Sequence, residues 1–272
     1  GVEQADAEFD DVTVEFRGPT KENDPTEQKK LFEVKQVAGL DGIAIAPADG
    51  TILGPAIDRA VDAGTPVVIF DSGAEAERFA AFVGTDNYNA GAMAGQAMVD
   101  ALGGKGDVVV MRYKTGSVST EQREQGFLDV IAEHDGITVL SADQEGANKE
   151  KQVAQNLLST HGAEAEGVYT PNQSTTIGMI SALREQGYYD KGMIHIGFDH
   201  APEILASMQA GGLRAYVTQN PVRMGYLTVA TLRQAVRGEA VDENVDTGAY
   251  LVTPESLSDP AVRAVLGLDS SE

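Results

Sequence analysis

Short apolar runs alternate with helical patterns along the whole chain, and this alternation restricts the fold more than any other feature. Clear examples are the runs over residues 42–46, 67–70, 107–111, 167–170 and 193–197, which are rich in Val, Ile and Phe. Strands of a parallel sheet have helices on both faces, so they appear as continuous apolar runs rather than as alternating ones. The sequence therefore predicts an α/β protein with parallel sheets.

The number of strand–helix units, about nine, leaves two architectures. A closed eightfold barrel needs evenly repeated units, with a helix after every strand. The run over 81–83 follows the run over 67–70 through a segment that has no helical pattern. This break favours two packed lobes, each with a doubly wound parallel sheet, over a barrel.

Both ends of the chain carry further predictions. Val12, Val14 and Phe16 alternate with polar residues, which predicts a strand over 12–16. A last strand is predicted over 247–252. The pattern of residues 1–9 is that of the middle of a helix, so we expect an upstream piece to be missing. Asp24-Pro25 is typical of a helix start, with an N-cap followed by proline.

Composition and motifs exclude several classes of function. The net charge is −22, from 42 acidic and 20 basic residues, and such a surface repels nucleic-acid phosphates. Without cysteine the chain forms no disulfide and no thiolate metal site. No run of 18 apolar residues occurs. The four histidines lack metal-ligand spacing, and no nucleophile elbow or phosphate-binding loop is present, so we expect no metal, no cofactor and no catalytic residue.

Polar residues stand where several predicted strands end. These are Asp71, Asn172, Asp199 and Gln219, and Arg123 lies at the start of a helix after a Ser/Thr-rich loop. Ligands of open α/β sheets bind at the carboxyl ends of the strands. Carboxylates accept hydrogen bonds, guanidinium donates them, and amides do both. This set of groups suits a neutral polyhydroxylated ligand such as a sugar.

Each of these residues also has an ordinary structural interpretation. Asp71 is equally well explained as a turn residue, and Asp199 as a helix cap. Taken alone, Asn172 and Gln219 are better explained by local loop hydrogen bonds, and Arg123 by a solvated helix surface. The prediction of a ligand site therefore rests on the convergence of all five at one edge of two sheets.

Six segments carry a family resemblance. The chain resembles the periplasmic sugar-binding proteins of the ribose-binding type, which are substrate-binding components of ABC importers with the type I periplasmic binding fold. The resemblance covers essentially the whole chain. The matching segments are Asp41-Gly-Ile-Ala-Ile-Ala-Pro47, Ala60-Val-Asp-Ala-Gly-Thr-Pro-Val-Val-Ile-Phe-Asp71, Phe82-Val-Gly-Thr-Asp-Asn-Tyr-Asn-Ala-Gly91, Ser119-Thr-Glu-Gln-Arg-Glu-Gln-Gly-Phe127, Ile196-Gly-Phe-Asp199 and Gln219-Asn-Pro-x-x-Met-Gly225.

The resemblance implies an architecture and a biological role. It implies two doubly wound lobes, residues 1–86 plus 220–248 and residues 87–219 plus 249–272, joined by three crossovers, with the ligand between them. The first lobe lacks the family's first strand. The implied protein is a monomer that is periplasmic, or exported and tethered to the cell surface. It binds a sugar or polyol without chemical conversion and delivers it to ABC permease subunits.

The ligand contacts implied by position are Asp71, Arg123, Asn172, Asp199 and Gln219. In the family, Asp71 would accept from two neighbouring sugar hydroxyls and Arg123 would donate to ring or hydroxyl oxygens. Three further positions depart from the family pattern: Ala46 or Pro47 stands where an asparagine is usual, Ser72 replaces a second arginine, and Glu145 lies near an aromatic position. These departures make ribose itself an unfavoured ligand, and they make Pro47, Ser72 and Glu145 additional candidate contacts.

Other functions share this fold. The chain could form the effector-binding domain of a sugar-responsive repressor, although no helix-turn-helix is visible and the charge opposes DNA binding. It could also serve as a binding protein linked to a chemoreceptor. An enzyme that uses Asp71 and Asp199 as an acid/base pair is the third alternative.

Overall fold

The computed structural model describes residues 1–21 and 23–269. The chain divides into two compact units. The first comprises Gly1–Thr85, Gly116–Ser119 and Asn220–Gly248, and the second comprises Asp86–Thr115, Thr120–Gln219 and the residues from Ala249 onward.

Strands and helices alternate through the described residues. The strands are β1 (Ile43–Ile45), β2 (Val67–Phe70), β3 (Ala81–Gly84), β4 (Gly106–Arg112), β5 (Ile137–Glu145), β6 (Gly167–Tyr169), β7 (Ile194–Phe198), β8 (Ala215–Gln219), β9 (Asn244–Asp246) and β10 (Ala249–Val252). The helices are α1 (Val2–Glu8), α2 (Pro25–Val37), α3 (Gly50–Asp62), α4 (Asn87–Leu102), α5 (Val118–Ala132), α6 (Glu150–His161), α7 (Gln173–Glu185), α8 (Pro202–Gln209), α9 (Pro221–Val236) and α10 (Pro260–Val265). Short 3₁₀ helices lie at Tyr189–Lys191 and Ser256–Ser258.

The first unit contains a parallel four-stranded sheet in the order β1-β2-β3-β9. Alternate residues of β2 enter different cores: Val67 and Ile69 pack with residues of α2 and α3, whereas Val68 packs with Met224 of α9. Helices therefore cover both faces, which explains why β2 is a continuous apolar run. The predicted helix start is confirmed, because Asp24 Oδ1 accepts from the N–H of Glu27 at 2.8 Å.

The second unit contains a six-stranded sheet in the order β10-β8-β7-β6-β4-β5, in which β10 alone runs antiparallel to its neighbour. Val108 and Val110 pack with α4 and α5, while Val109 and Met111 pack with α6 and α7. The strand order reverses between β4 and β6, the kind of position where ligands bind in doubly wound sheets. The predicted α/β class with parallel sheets is confirmed. In the described part of the chain, every helix is too short or too polar to cross a membrane.

The strand predicted over 12–16 is wrong. These residues form no regular structure, the side chain of Phe16 is 71% exposed, and the N–H of Val14 donates to Asp6 Oδ1 instead of to another strand. Alternation produces a strand only where a neighbouring strand supplies backbone partners. The prediction over 247–252 is wrong in its start, because Gly248 adopts φ +84° and separates β9 from β10, which join different sheets.

Candidate ligand-binding site

Four of the predicted site residues belong to the second unit and follow the carboxyl ends of its strands. Asn172 comes after β6, Asp199 directly after β7, Gln219 is the last residue of β8, and Arg123 lies in α5, which follows β4. A hydrogen bond joins Gln219 to Asp199, and a charge contact joins Asp199 to Arg123. Asn172 follows Pro171, whose carbonyl accepts from Arg123. We call these four residues the Arg123 cluster. The structure thus brings Arg123, Asp199 and Gln219 into contact, with Asn172 next in sequence to a residue that Arg123 contacts.

Arg123 is the most constrained member of the cluster. Its side chain is 3% exposed. The Nε–H donates to Asn87 Oδ1 at 2.8 Å, Nη1 donates to the carbonyl of Pro171 at 3.0 Å, and the guanidinium carbon lies 3.9 Å from the centre of the Phe198 ring. These contacts use two of the five N–H donors of an arginine. The alternative interpretation of Arg123 as a solvated charge on the helix surface is wrong, because the side chain is buried and several neighbours hold the guanidinium plane.

Asp199 is oriented by its neighbours. Its Oδ1 accepts from Gln219 Nε2 at 2.8 Å, and its Oδ2 accepts from the backbone N–H of Gln173 at 3.0 Å. Oδ2 also lies 3.9 Å from Arg123 Nη1, too long for a hydrogen bond but close enough for electrostatic attraction. With 23% of its side chain exposed, the carboxylate keeps access to solvent and to a small ligand.

Asp71, in the first unit, repeats the backbone geometry of Asp199. Each follows a phenylalanine that ends a strand, each adopts a left-handed backbone (φ +63° and +66°), and each donates its N–H to the adjacent strand, at Val83 and Val217. Among the described non-glycine residues only Asn23 and Asn148 also have positive φ. Such strained conformations concentrate at functional sites. The two aspartates are thus displayed in the same way, one in each unit.

The remaining predicted residues have contacts within the protein. Asn172 caps α7, since its Oδ1 accepts from the N–H of Thr175 at 3.2 Å. Ser72 is buried, and its Oγ accepts from the N–H of Ser119 at 3.2 Å within the first unit. Glu145 is exposed and accepts from Thr115 N and Oγ1 at 2.9 and 2.5 Å. Pro47 is buried at the end of β1.

Sequence reasoning missed Asn87 and Phe198, the two side chains that hold Arg123. Phe198 precedes Asp199 and carried no polar signal. Asn87 lies at the start of α4, and its contact with Arg123 exists only because α4 and α5 pack closely, which a single sequence does not reveal. A useful signal would have been the glycines of the two helices, because small residues allow helix backbones to approach.

Burial keeps the aromatic and imidazole groups around the cluster uncharged. It lowers the pKa of His200, whose Nδ1 shares a hydrogen bond of 3.0 Å with Tyr216 Oη. It raises the pKa of Tyr216 and of Tyr169. The charges within the cluster are then those of Arg123 and Asp199, which balance. A balanced site favours a neutral ligand over an anion or a cation.

The fold and the strand-end cluster define a solute-binding protein rather than an enzyme. Residues 1–240 match the sequence profile of the periplasmic binding protein domain, and the chain belongs to that family. It is 29% identical to the ribose import binding protein RbsB of Bacillus subtilis over 233 residues, which are 85% of this chain and 75% of that protein.

Solved structures show the same relationship. An ABC transporter solute-binding protein from Agrobacterium vitis with bound D-fucose superposes with a TM-score of 0.89 at 30% identity, covering 97% of this chain and 92% of that one. A carbohydrate transporter solute-binding protein from Agrobacterium radiobacter in complex with D-arabinose gives a TM-score of 0.90 at 30% identity, with 97% and 91% covered. The predicted family, the type I periplasmic binding fold and the absence of enzymatic function are confirmed.

Proposed function

We propose that this protein captures a neutral monosaccharide, or a polyol, and delivers it to the permease subunits of an ABC importer. The single observation that carries the proposal is the Arg123 cluster, in which Nη1 of a buried guanidinium and Oδ2 of a partly exposed carboxylate lie 3.9 Å apart. A sugar hydroxyl both donates and accepts, so neighbouring hydroxyls can satisfy both groups at once. The D-fucose and D-arabinose bound in the similar proteins support this ligand class.

We propose five main ligand contacts. Arg123 donates to ligand oxygens, Asp199 and Asp71 accept from hydroxyls, and the amides of Gln219 and Asn172 supply donors or acceptors. Ser72, Pro47 and Glu145 are secondary candidates, and the hydrogen bonds already made by Ser72 and Glu145 lower their priority. We further propose that the protein is a monomer. It acts either in the periplasm or exported and tethered to the cell surface, as expected for this family.

Calorimetry and thermal unfolding against pentoses, hexoses and polyols test this function. We expect one ligand, or a few of close stereochemistry, to bind. A ligand at a hundred times its Kd stabilises the folded state by about 2.7 kcal/mol, which raises Tm by several degrees in a chain of this size. Sugar phosphates are the matched control, because two aspartates disfavour an anion. The proposal is contradicted if no neutral sugar or polyol binds, or if the sugar phosphates bind more tightly than the neutral ligands.

Replacing Asn172 with serine separates capping from ligand binding. Serine is an equally good helix N-cap, so urea unfolding should show a stability within a few tenths of a kcal/mol of the native protein. The shorter side chain removes the amide, and loss of one hydrogen bond weakens Kd by roughly fivefold. Asn172→Ala should lose about 1 kcal/mol of stability in addition. An unchanged Kd in Asn172→Ser would show that Asn172 is only a cap.

A further inference from the structure

Asn87 is buried at the start of α4, and its side chain is joined by a hydrogen bond to Arg123. It is 2% exposed, and its Oδ1 accepts from Arg123 Nε at 2.8 Å. We propose that Asn87 is a positioning residue that fixes the guanidinium plane of Arg123 for the ligand, and so contributes to affinity without touching the sugar. This inference rests on the proposed function, and it adds a residue that the family resemblance did not supply.

The packing of α4 against α5 sets the geometry of this pair. A Cβ atom added at Gly91 would lie 2.0 Å from the carbonyl oxygen of Arg123, and one added at Gly126 would lie 2.0 Å from the carbonyl oxygen of Tyr88. The two helix backbones therefore touch at two points close to the Asn87–Arg123 contact. Because neither backbone can move closer or rotate freely, the position of Asn87 Oδ1 relative to Arg123 is determined by the fold.

The Nδ2 group of Asn87 is buried and has no hydrogen-bond partner among the described residues. A buried unsatisfied amide group destabilises the folded state, and an apolar side chain at this position would avoid that penalty. Violations of local packing rules are expected where a residue serves function. The useful atom of Asn87 is then Oδ1, the acceptor for Arg123.

Asn87 supplies a restraint that the other partners of Arg123 do not. Stacking on Phe198 fixes the tilt of the guanidinium, and the Pro171 carbonyl anchors Nη1. The bond at Nε fixes rotation within that plane, so that the donors left for a ligand point in one direction. Preorganising a binding group in this way raises affinity, because the ordering is complete before the ligand arrives.

Calorimetry with the sugar that binds the native protein most tightly tests this role in five variants. Asn87→Ala should weaken Kd by about tenfold or more. Asn87→Asp keeps an acceptor oxygen at the same place and should restore most of the affinity. Asn89→Ala is the matched control, since Asn89 lies in the same helix, is exposed and donates its side-chain amide to Asp86. In an Arg123→Ala background, Asn87→Ala should cause no further loss, as a double-mutant cycle measures.

Nuclear magnetic resonance of the Arg123 Hε proton provides a readout that needs no sugar. In the ligand-free protein this proton should exchange slowly with water, and faster in Asn87→Ala but not in Asn89→Ala. Two results overturn the positioning role. One is native affinity in Asn87→Ala, and the other is a loss of affinity on Asn87→Ala that is equally large with and without the Arg123 side chain. If the native protein binds no sugar, the proposed function fails, whereas the Hε exchange still decides whether Asn87 holds Arg123.

Discussion

Replacing Asp71 with alanine is expected to abolish sugar binding at ligand concentrations that saturate the native protein. The carboxylate follows β2 in a left-handed conformation that presents it at the carboxyl edge of the sheet. If it accepts from two neighbouring hydroxyls, each charge-assisted hydrogen bond contributes about 1.5–3 kcal/mol. Loss of both weakens Kd by a factor of roughly 100 to 10,000. Calorimetric titration measures this directly.

The backbone of Asp71 requires a matched control. Alanine is less tolerant than aspartate of positive φ, so the substitution should also lower the free energy of unfolding by about 1 kcal/mol. Asn148→Ala imposes the same change at φ +65° on an exposed residue. Both variants should lose similar stability in urea, and only Asp71→Ala should lose binding. A Kd within threefold of the native value in Asp71→Ala would show that this aspartate serves only the turn.

The fold class was predictable because burial on both faces of a parallel sheet leaves a local signature. The runs that became β2, β4 and β7 are mainly apolar, and no other common arrangement places helices on both sides of such strands. The segment 12–16 shows where this signature stops. Its alternation is as regular as that of a true strand, but a strand also needs a neighbouring edge, and that is a property of the tertiary structure.

The candidate site was predictable to the level of position and not of atomic role. Strand ends placed Asp199, Gln219 and Asn172 at one edge, because parallel strands share their carboxyl edge. Which of their oxygens a ligand can reach depends on tertiary contacts that the sequence does not show. The Oδ1 of Asn172 caps α7, whereas the carboxylate of Asp199 is oriented by two donors. Asn87 could not be predicted as the hydrogen-bond partner of Arg123, because the two residues are 36 positions apart and meet only where α4 packs against α5.

His195 should make the second unit sensitive to acid. The ring lies in β7 with no exposed surface, joined by hydrogen bonds to Thr170 Oγ1 at 2.9 Å and Tyr189 Oη at 3.1 Å. Burial lowers the pKa of His195 to about 3, well below the value of about 6.5 for a free imidazole. Between these pH values the imidazole of His195 binds a proton in the unfolded state but not in the folded state. The free energy of unfolding therefore falls as the pH falls.

The expected size of this effect is about 1.4 kcal/mol per pH unit, or about 3 kcal/mol between pH 6.5 and 4. Urea unfolding of the native protein and of His195→Gln isolates it, because the carboxylates that titrate in the same range are common to both. Glutamine lacks a titrating ring and packs less well. At pH 7 the variant should be the less stable protein by about 1–3 kcal/mol, and by pH 4 the difference should vanish or reverse.

Tyr189→Phe is the control for the hydrogen bond itself. It removes the hydroxyl that contacts His195 Nδ1 but keeps the buried imidazole. Its stability should therefore lie below that of the native protein by a similar amount at every pH between 7 and 4. The free energy of unfolding of His195→Gln could instead change with pH in parallel with that of the native protein. In that case the ring accepts a proton in the folded state, and the acid sensitivity of this unit has another source.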